Sequence, residues 1–133
     1  MSRSEVLQNS VEDFYRDPQN SEVLCDILEK RNGISLRNLE WFITNYSKQR
    51  NLSFVTPTGK RFTVHCSYKS TLDGYSKKLF DPFCRSNKIN FKIPNTDKNI
   101  QTTVAQLNFI RWCIKNSIIQ YIQDHKEELK RSS

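Results

Sequence analysis

The segment from 103 to 129 constrains the fold most, because its first half is apolar on nearly every side of a helix. Thr103, followed three residues later by Gln106, has the pattern of a capping box and predicts a helix start. A helix that is apolar all round has to lie inside the core, and this one would measure about 40 Å. The sequence therefore predicts a long C-terminal helix whose polar end, 123–131, projects from the domain. Its helical stripe is formed by Val104, Leu107, Ile110 or Arg111, Ile114, Ile118, Tyr121 or Ile122, and Leu129, and the apolar surface is widened by Phe109, Trp112 and Cys113.

The first fifty residues predict an acidic, helical part of the chain. Residues 5–16 carry apolar side chains at helical spacing, and Pro18 follows as a stop. Ser21 can cap a second helix that ends at Asn32-Gly33. Ser35 can then cap a third helix. The apolar stripe of that helix is formed by Leu36, Leu39, Phe42, Ile43 and Tyr46.

The middle of the chain changes from a helical period to period two. Apolar side chains alternate from 52 to 66 around a Pro/Gly turn at 57–60, which predicts a β-hairpin. Residues 68–79 return to helical spacing. This helix ends at Asp81, because the residue before a proline is pushed out of the α region. Alternation from 89 to 93 then predicts a third strand.

Together these elements predict one domain of the α+β class. A small antiparallel sheet, made of the β-hairpin plus a third strand, is expected to pack against helices, with the long C-terminal helix as the largest. The predicted parts are an acidic helical part (1–50), a basic hairpin, helix and strand (51–98), and the C-terminal helix (99–133). A chain of 133 residues has the length of one domain and can bury a core without metal or disulfide support.

The sequence predicts a protein that stays in the reducing compartment where it is made. No apolar run approaches the ~20 residues of a membrane span, and residues 1–5 lack the apolar core of a signal peptide. The four cysteines are widely spaced and are expected to be reduced, buried, small hydrophobes, namely Cys25, Cys66, Cys84 and Cys113. A disulfide framework in a secreted protein is the alternative.

The sequence assigns no catalytic residue, metal ligand or cofactor site. Alternation in the predicted hairpin points Cys66 inward and His65 outward, so these two side chains cannot act together. His125 and Glu128 form an ordinary pair on a helix surface. Cysteines and histidines lack the short paired spacings of metal sites, and no glycine-rich phosphate loop occurs. We therefore expect a protein that is not an enzyme and works through a binding surface.

Basic residues are concentrated in the middle of the chain. Residues 45–98 carry 11 Lys or Arg against 3 Asp or Glu, a net charge of +8, whereas residues 1–44 carry 5 against 8, a net charge of −3. A positive field of this kind favours an acidic partner, which can be nucleic acid, an anionic membrane or an acidic protein face. A solvated face that serves solubility is the alternative. The candidate binding residues are Lys48, Arg50, Lys60, Arg61, Lys69, Lys77, Lys78, Arg85, Lys88 and Lys92.

Aromatic residues are interleaved with these cations. On an exposed face they could stack nucleic-acid bases while the cations neutralise phosphates. However, most of them fall on the apolar stripes, which favours a place in the core. They are Phe54, Tyr68, Tyr75, Phe80, Phe83 and Phe91.

Three segments carry a resemblance to a known family. They are SLRNLEWFITNYSK (35–48), YKSTLDGYSKKLFDPFCR (68–85) and TTVAQLNFIRWCI (102–114). Together they resemble a family of small uncharacterised proteins of nucleocytoplasmic large DNA viruses, the giant viruses. The resemblance covers about 20–122 and carries over no catalytic or binding residue.

The resemblance implies a non-enzymatic viral protein in the virion and the host cytoplasm. The first functional hypothesis is a protein–protein interaction module that acts as a minor capsid or virion-associated component. Its partners would be other virion proteins or a second copy, because acidic and basic ends favour head-to-tail association. The second is a basic nucleic-acid-binding factor in viral transcription, replication or genome packaging, which would contact DNA or RNA through the same residues.

Overall fold

The fold combines helices with two small antiparallel sheets and is of the α+β class. The computed structural model describes residues 2–132. The helices are α1 (Arg3–Tyr15), α2 (Pro18–Glu29), α3 (Leu36–Trp41), α4 (Ser47–Arg50), α5 (Val64–Tyr75), α6 (Lys77–Phe80), α7 (Val104–Lys115), α8 (Ile118–Asp124) and α9 (Lys126–Ser132), with a π-helical segment (Phe42–Tyr46) between α3 and α4. The strands are β1 (Ser53–Val55), β2 (Arg61–Thr63), β3 (Ile89–Lys92) and β4 (Asn99–Thr102).

Asp17 and Pro18 set the start of α2. The Asp17 side chain accepts a hydrogen bond of 2.9 Å from the Gln19 amide, and Pro18 occupies the first helical turn, where no N–H is needed. The prediction that Ser21 caps α2 is wrong, because Ser21 lies buried one turn inside the helix. The helix also ends earlier than Gly33, since Lys30 adopts the left-handed conformation at the C-terminus.

Ser35 caps α3 as predicted. Its hydroxyl accepts from the Asn38 amide at 3.2 Å, and the Asn38 side chain accepts from the Ser35 amide at 3.0 Å, which completes a capping box. The predicted apolar stripe runs from α3 through the π-helical segment and faces the core. Its buried members are Leu39, Phe42, Ile43 and Tyr46.

β1 and β2 form the predicted hairpin around the turn at 57–60. Phe54 lies opposite Phe62 in the antiparallel register, with 5.6 Å between the ring centroids. Gly59 has a φ of 90°, which the turn requires and which glycine adopts without steric cost.

The second strand of the hairpin is shorter than predicted. It ends at Thr63, and α5 begins at Val64. Val64 and Tyr68 are therefore both buried, one helical turn apart on the same face of α5. Cys66 is therefore on a helix and exposed, and the prediction that it points inward is wrong. His65 is half-buried on the same helix.

The predicted third strand does not join the hairpin. Residues 89–92 form β3, which pairs antiparallel with β4 in a separate two-stranded sheet. The expectation of one sheet made of a hairpin plus a third strand is therefore wrong. The backbone of β3 is hydrogen-bonded to β4, and its buried apolar residue Phe91 lies opposite Ile100 of β4. The sequence pattern did not reveal β4.

The predicted long C-terminal helix is divided into α7, α8 and α9. Thr103 caps α7 by accepting from the Gln106 amide at 3.1 Å, and nine of the twelve residues of α7 are buried, as the all-round apolar pattern requires. The helix stops at Asn116, and Ser117 turns the chain in the left-handed conformation, with φ 61°. A straight helix of 40 Å would exceed the diameter of a domain this size.

The turn at Ser117 lets α8 return to the core. Ile118, Ile119 and Ile122 are buried, and Leu129 of α9 packs against the same cluster instead of projecting. The side chains of residues 130–131, part of the predicted polar end, lie outside the described ones. The core thus draws on every region of the chain, from Leu7 in α1 to Ile122 in α8.

Candidate binding surfaces

All ten predicted basic residues are exposed. They are distributed over several elements, because α4, the hairpin, α5, α6, the segment before β3, and β3 itself each contribute one or two. Arg61 donates to the Ser53 hydroxyl at 2.9 Å across the hairpin, and Arg50 lies over the Tyr46 ring with 3.9 Å to the centroid. Lys92 borders a shallow depression with Arg16 at the β3–β4 turn.

Helix α4 packs against α5, so that the charges of Lys48 on α4 and Lys69 on α5 both act on His65. Burial lowers the pKa of His65, and the charges of Lys48 and then Lys69 lower it further. The positive potential of the two lysines disfavours protonation of the imidazole. We call these three residues the basic corner. Two of the ten predicted cations thus act on one common group, the His65 imidazole.

The interleaved aromatic residues do not form an exposed stacking face. Tyr68, Phe80 and Phe91 are buried, and Phe80 packs edge-on against Trp112 with 5.6 Å between centroids. Phe83 alone among the six is a large exposed hydrophobic residue, at 51%. The interpretation of most of these aromatics as core residues is therefore confirmed.

A groove that sequence reasoning missed lies between the α2–α3 loop, α3 and the last two helices. Its volume is about 620 Å³, within the range of ligand-binding clefts. Five of its lining residues are apolar, and Trp41 and Leu129 are the half-buried ones among them. The apolar lining is formed by Ile34, Trp41, Phe42, Ile122 and Leu129.

Three cations line the groove, and none of its lining residues is acidic. Arg31 pairs with Asp26 and Glu29, which lie outside the groove, and Lys126 donates to the Asn32 carbonyl. Arg37 is exposed and makes no ion pair or hydrogen bond with the residues that the structure describes. The groove therefore offers an apolar floor with a positively charged rim.

A weak sequence signal could have indicated this groove. Trp41 lies outside the apolar stripe of α3, one turn after Arg37, and a tryptophan off the buried face is a recurrent feature of binding surfaces. The other wall comes from α8 and α9, about eighty residues later. No local pattern could have placed the two walls together.

The cysteines differ in environment. All four are free; Cys25 and Cys113 are buried, Cys84 is half-buried and Cys66 is exposed. Burial raises the pKa of the Cys113 thiol.

In residues 2–132, no three His, Cys, Asp or Glu side chains are grouped as a metal site would require. No helix in that range is both long and apolar enough to cross a membrane.

Comparisons with known proteins place the chain in a family. The model of a family of unknown function, DUF7197, matches residues 1–133. "Uncharacterized protein L507" of Acanthamoeba polyphaga mimivirus is 36% identical over 140 residues, covering 97% of this chain and 54% of that protein. The chain thus spans about half the length of this relative. No solved structure matches the chain. The resemblance to giant-virus proteins is confirmed, and the chain belongs to the family DUF7197.

Proposed function

We propose that the chain is a non-enzymatic protein–protein interaction module whose groove binds an acidic segment of a partner protein. The observation that carries this proposal is the combination of an apolar floor with Arg31, Arg37 and Lys126 in a lining that contains no acidic residue. A partner segment would place an apolar side chain against Trp41 and carboxylates beside the cations.

An acidic partner segment with an apolar anchor matches the way in which protein interfaces are generally built. Buried apolar or aromatic anchors contribute most of the affinity, and charges at the rim set specificity and association rate. Trp41 and Phe42 supply the aromatic surface, while Arg37 supplies an exposed, unengaged guanidinium for a bidentate contact with a carboxylate. A nucleic acid fits this groove less well, because its floor is aliphatic as well as aromatic.

The virus family suggests where such a module would act. We infer that the partner is another viral protein and that the chain is a minor capsid or virion-associated component. Mass spectrometry of purified particles tests this setting, with the chain expected among the particle proteins. Its absence from the particles would restrict the module to the infected cytoplasm.

A photo-crosslinking experiment tests the groove. A p-benzoylphenylalanine in place of Trp41 is expected to crosslink one viral protein in infected-cell extract, through a segment rich in Asp and Glu. The same probe in place of Phe83, an exposed aromatic outside the groove, is the matched control.

Charge reversal completes the test. Arg37→Glu is expected to remove the crosslink from position 41, because the rim would then repel the acidic segment. Lys88→Glu makes the same charge change at an exposed site outside the groove and should leave the crosslink intact. A crosslink that survives Arg37→Glu, or that maps to a segment without acidic residues, contradicts the proposal.

The basic corner supports a second candidate function, which is nucleic-acid binding. Lys48 and Lys69 are exposed and both act on His65, and further cations of the hairpin and α6 are also exposed. Binding to fluorescent single- and double-stranded DNA should then weaken steeply with salt, with a log–log slope that counts the contacted phosphates. Lys48→Glu with Lys69→Glu should abolish it, while Arg37→Glu should not. No binding at ~50 mM salt contradicts this candidate, since non-specific contacts are strong there.

A further inference from the structure

Arg111 is a buried cation on α7 that is held by three helices. Only 7% of the surface of Arg111 is exposed to solvent. Nη1 donates to the Ser10 hydroxyl of α1 at 2.7 Å. Nη2 donates to the Asn108 side-chain oxygen at 2.8 Å and to the Tyr75 hydroxyl of α5 at 3.5 Å.

The partners of Arg111 are all neutral. No Asp or Glu among the residues of the described chain forms an ion pair with it, although buried guanidinium groups are normally paired with an anion. Asn108 in turn donates to the Leu79 carbonyl at 2.9 Å, which orients its oxygen toward Arg111. The guanidinium is therefore fixed in place while its charge remains without a counter-charge.

Hydrogen atoms remain available around this guanidinium. Arginine has five N–H donors, and the three hydrogen bonds above engage three of them. The Ser10 and Tyr75 hydroxyls accept from Arg111, and neither donates its own hydrogen to any acceptor in residues 2–132. Three side chains from three helices thus present donors, and no acidic acceptor competes with an incoming ligand.

Solvent can reach this place from the seam between α1 and the end of α5. Ser10 is exposed, and Tyr75 is half-buried. Arg3, also exposed, donates to the Gly74 carbonyl at the same seam. Lys77 and Lys78, which follow Tyr75 in the sequence, are exposed, as is Asp73, which precedes it.

We propose that Arg111, Ser10 and Tyr75 form a binding site for a phosphate group, here called the oxyanion cradle. A tetrahedral oxyanion can accept from a guanidinium and from two hydroxyls at once, and charge-assisted hydrogen bonds of this kind are short and strong. The ligand supplies the negative charge that Arg111 lacks. None of the three residues lines the groove. The proposal of a phosphate site and the proposal of a protein-binding groove can therefore be tested independently.

Calorimetric titration with inorganic phosphate, at constant ionic strength against chloride, tests the cradle. The intact chain is expected to bind phosphate, and its thermal unfolding midpoint should rise with phosphate concentration, because a ligand of the folded state stabilises it. Phosphoserine and adenosine monophosphate then identify the source of the group. Whichever binds more tightly indicates a phosphorylated protein or a nucleotide.

Two single-atom deletions make the test specific. Ser10→Ala and Tyr75→Phe each remove one hydroxyl and should each weaken phosphate binding about tenfold, the effect of one hydrogen bond to a charged group. Ser70→Ala removes an exposed hydroxyl elsewhere on α5 and should bind as the unchanged chain does. Arg111→Met should abolish binding, and the two hydroxyl variants keep the test valid if it does not fold. Equal effects of phosphate and chloride, or unaltered binding in both hydroxyl variants, would overturn the proposal.

Discussion

The hydroxyl of Tyr15 donates a hydrogen bond of 2.8 Å to the backbone carbonyl oxygen of Leu107, 92 residues further along the chain. Both residues are buried, at 0% and 1% exposure. The bond fixes the C-terminal end of α1 on the central helix α7. Burial raises the pKa of Tyr15 well above its ordinary value, with Cys113 adding to the effect, so the phenol remains a donor at physiological pH.

Replacing Tyr15 with Phe should lower the free energy of unfolding by about 1–2 kcal/mol, because a buried donor and its acceptor lose their bond. Urea unfolding followed by circular dichroism measures the change. Tyr68→Phe is the matched control, since the Tyr68 hydroxyl makes no hydrogen bond with the residues described here. It should change stability by less than about 0.5 kcal/mol. Equal losses in the two variants would show that the Tyr15–Leu107 bond contributes nothing particular.

Local signals in the sequence were enough to predict several elements. Ser35 predicted the start of α3, the Pro/Gly turn at 57–60 predicted the hairpin, and the all-round apolar pattern after Thr103 predicted the central helix. In each case the physical cause acts over a few residues. A cap, a turn geometry and a burial pattern need no knowledge of distant segments.

The features that the sequence did not predict depend on tertiary contacts. Ser117 adopts the left-handed conformation because α8 has to turn its isoleucines toward the core, and serine gives no local signal for this. The pairing of β3 with β4 and the two walls of the groove likewise join distant segments. The ten cations are all exposed, but their charges alone could not show that Lys48 and Lys69 both act on His65.

Two strained serines offer a test of backbone geometry. Ser76, between α5 and α6, has φ 80° and ψ 162°, a region that only glycine adopts readily. Ser117 has φ 61° in the left-handed region. Neither side chain caps the following helix, so glycine removes strain without removing a cap. Ser76→Gly should raise the free energy of unfolding by about 1 kcal/mol and Ser117→Gly by about 0.5 kcal/mol, after the entropic cost of glycine.

Alanine provides the control at both positions. Ser76→Ala and Ser117→Ala keep a Cβ atom and therefore keep the strain, so neither should gain stability. Thermal and urea unfolding of the four variants measures the differences. A gain for alanine equal to that for glycine would mean that the serine side chain, and not the backbone conformation, is the source of the effect.

The thiols should react in the order of their exposure. Cys66 is expected to react with Ellman's reagent at once in the native protein, and Cys84 more slowly. Cys25 and Cys113 should react only after unfolding, because burial shields both and raises the pKa of each thiol, and the thiolate is the reactive form. Cys66→Ser should remove the fast phase and leave the others intact. A fast phase that persists in this variant would contradict the placement of Cys66 on the exposed face of α5.

His65 should make the folded state less stable in mild acid. Its folded pKa lies below the ordinary value of 6.5, because of burial first and then of Lys48 and Lys69. The unfolded chain therefore takes up the proton first as the pH falls. Stability is complete above about pH 6.5 and declines below it until the pH reaches the folded pKa. His65→Gln should unfold with a smaller loss of stability between pH 7.5 and 5.5, measured in urea.

The same histidine reports on the basic corner. In an NMR titration, Lys48→Gln should raise the pKa of His65 toward 6.5, and Lys69→Gln should raise it by less, since Lys48 is the stronger of the two charge effects. The rise remains partial in both variants because burial, the largest cause, is unchanged. Lys88→Gln removes an exposed charge that does not act on His65 and should leave its pKa where it is. If all three variants titrate alike, the two lysines do not share a field at the imidazole, and the nucleic-acid candidate loses its principal structural support.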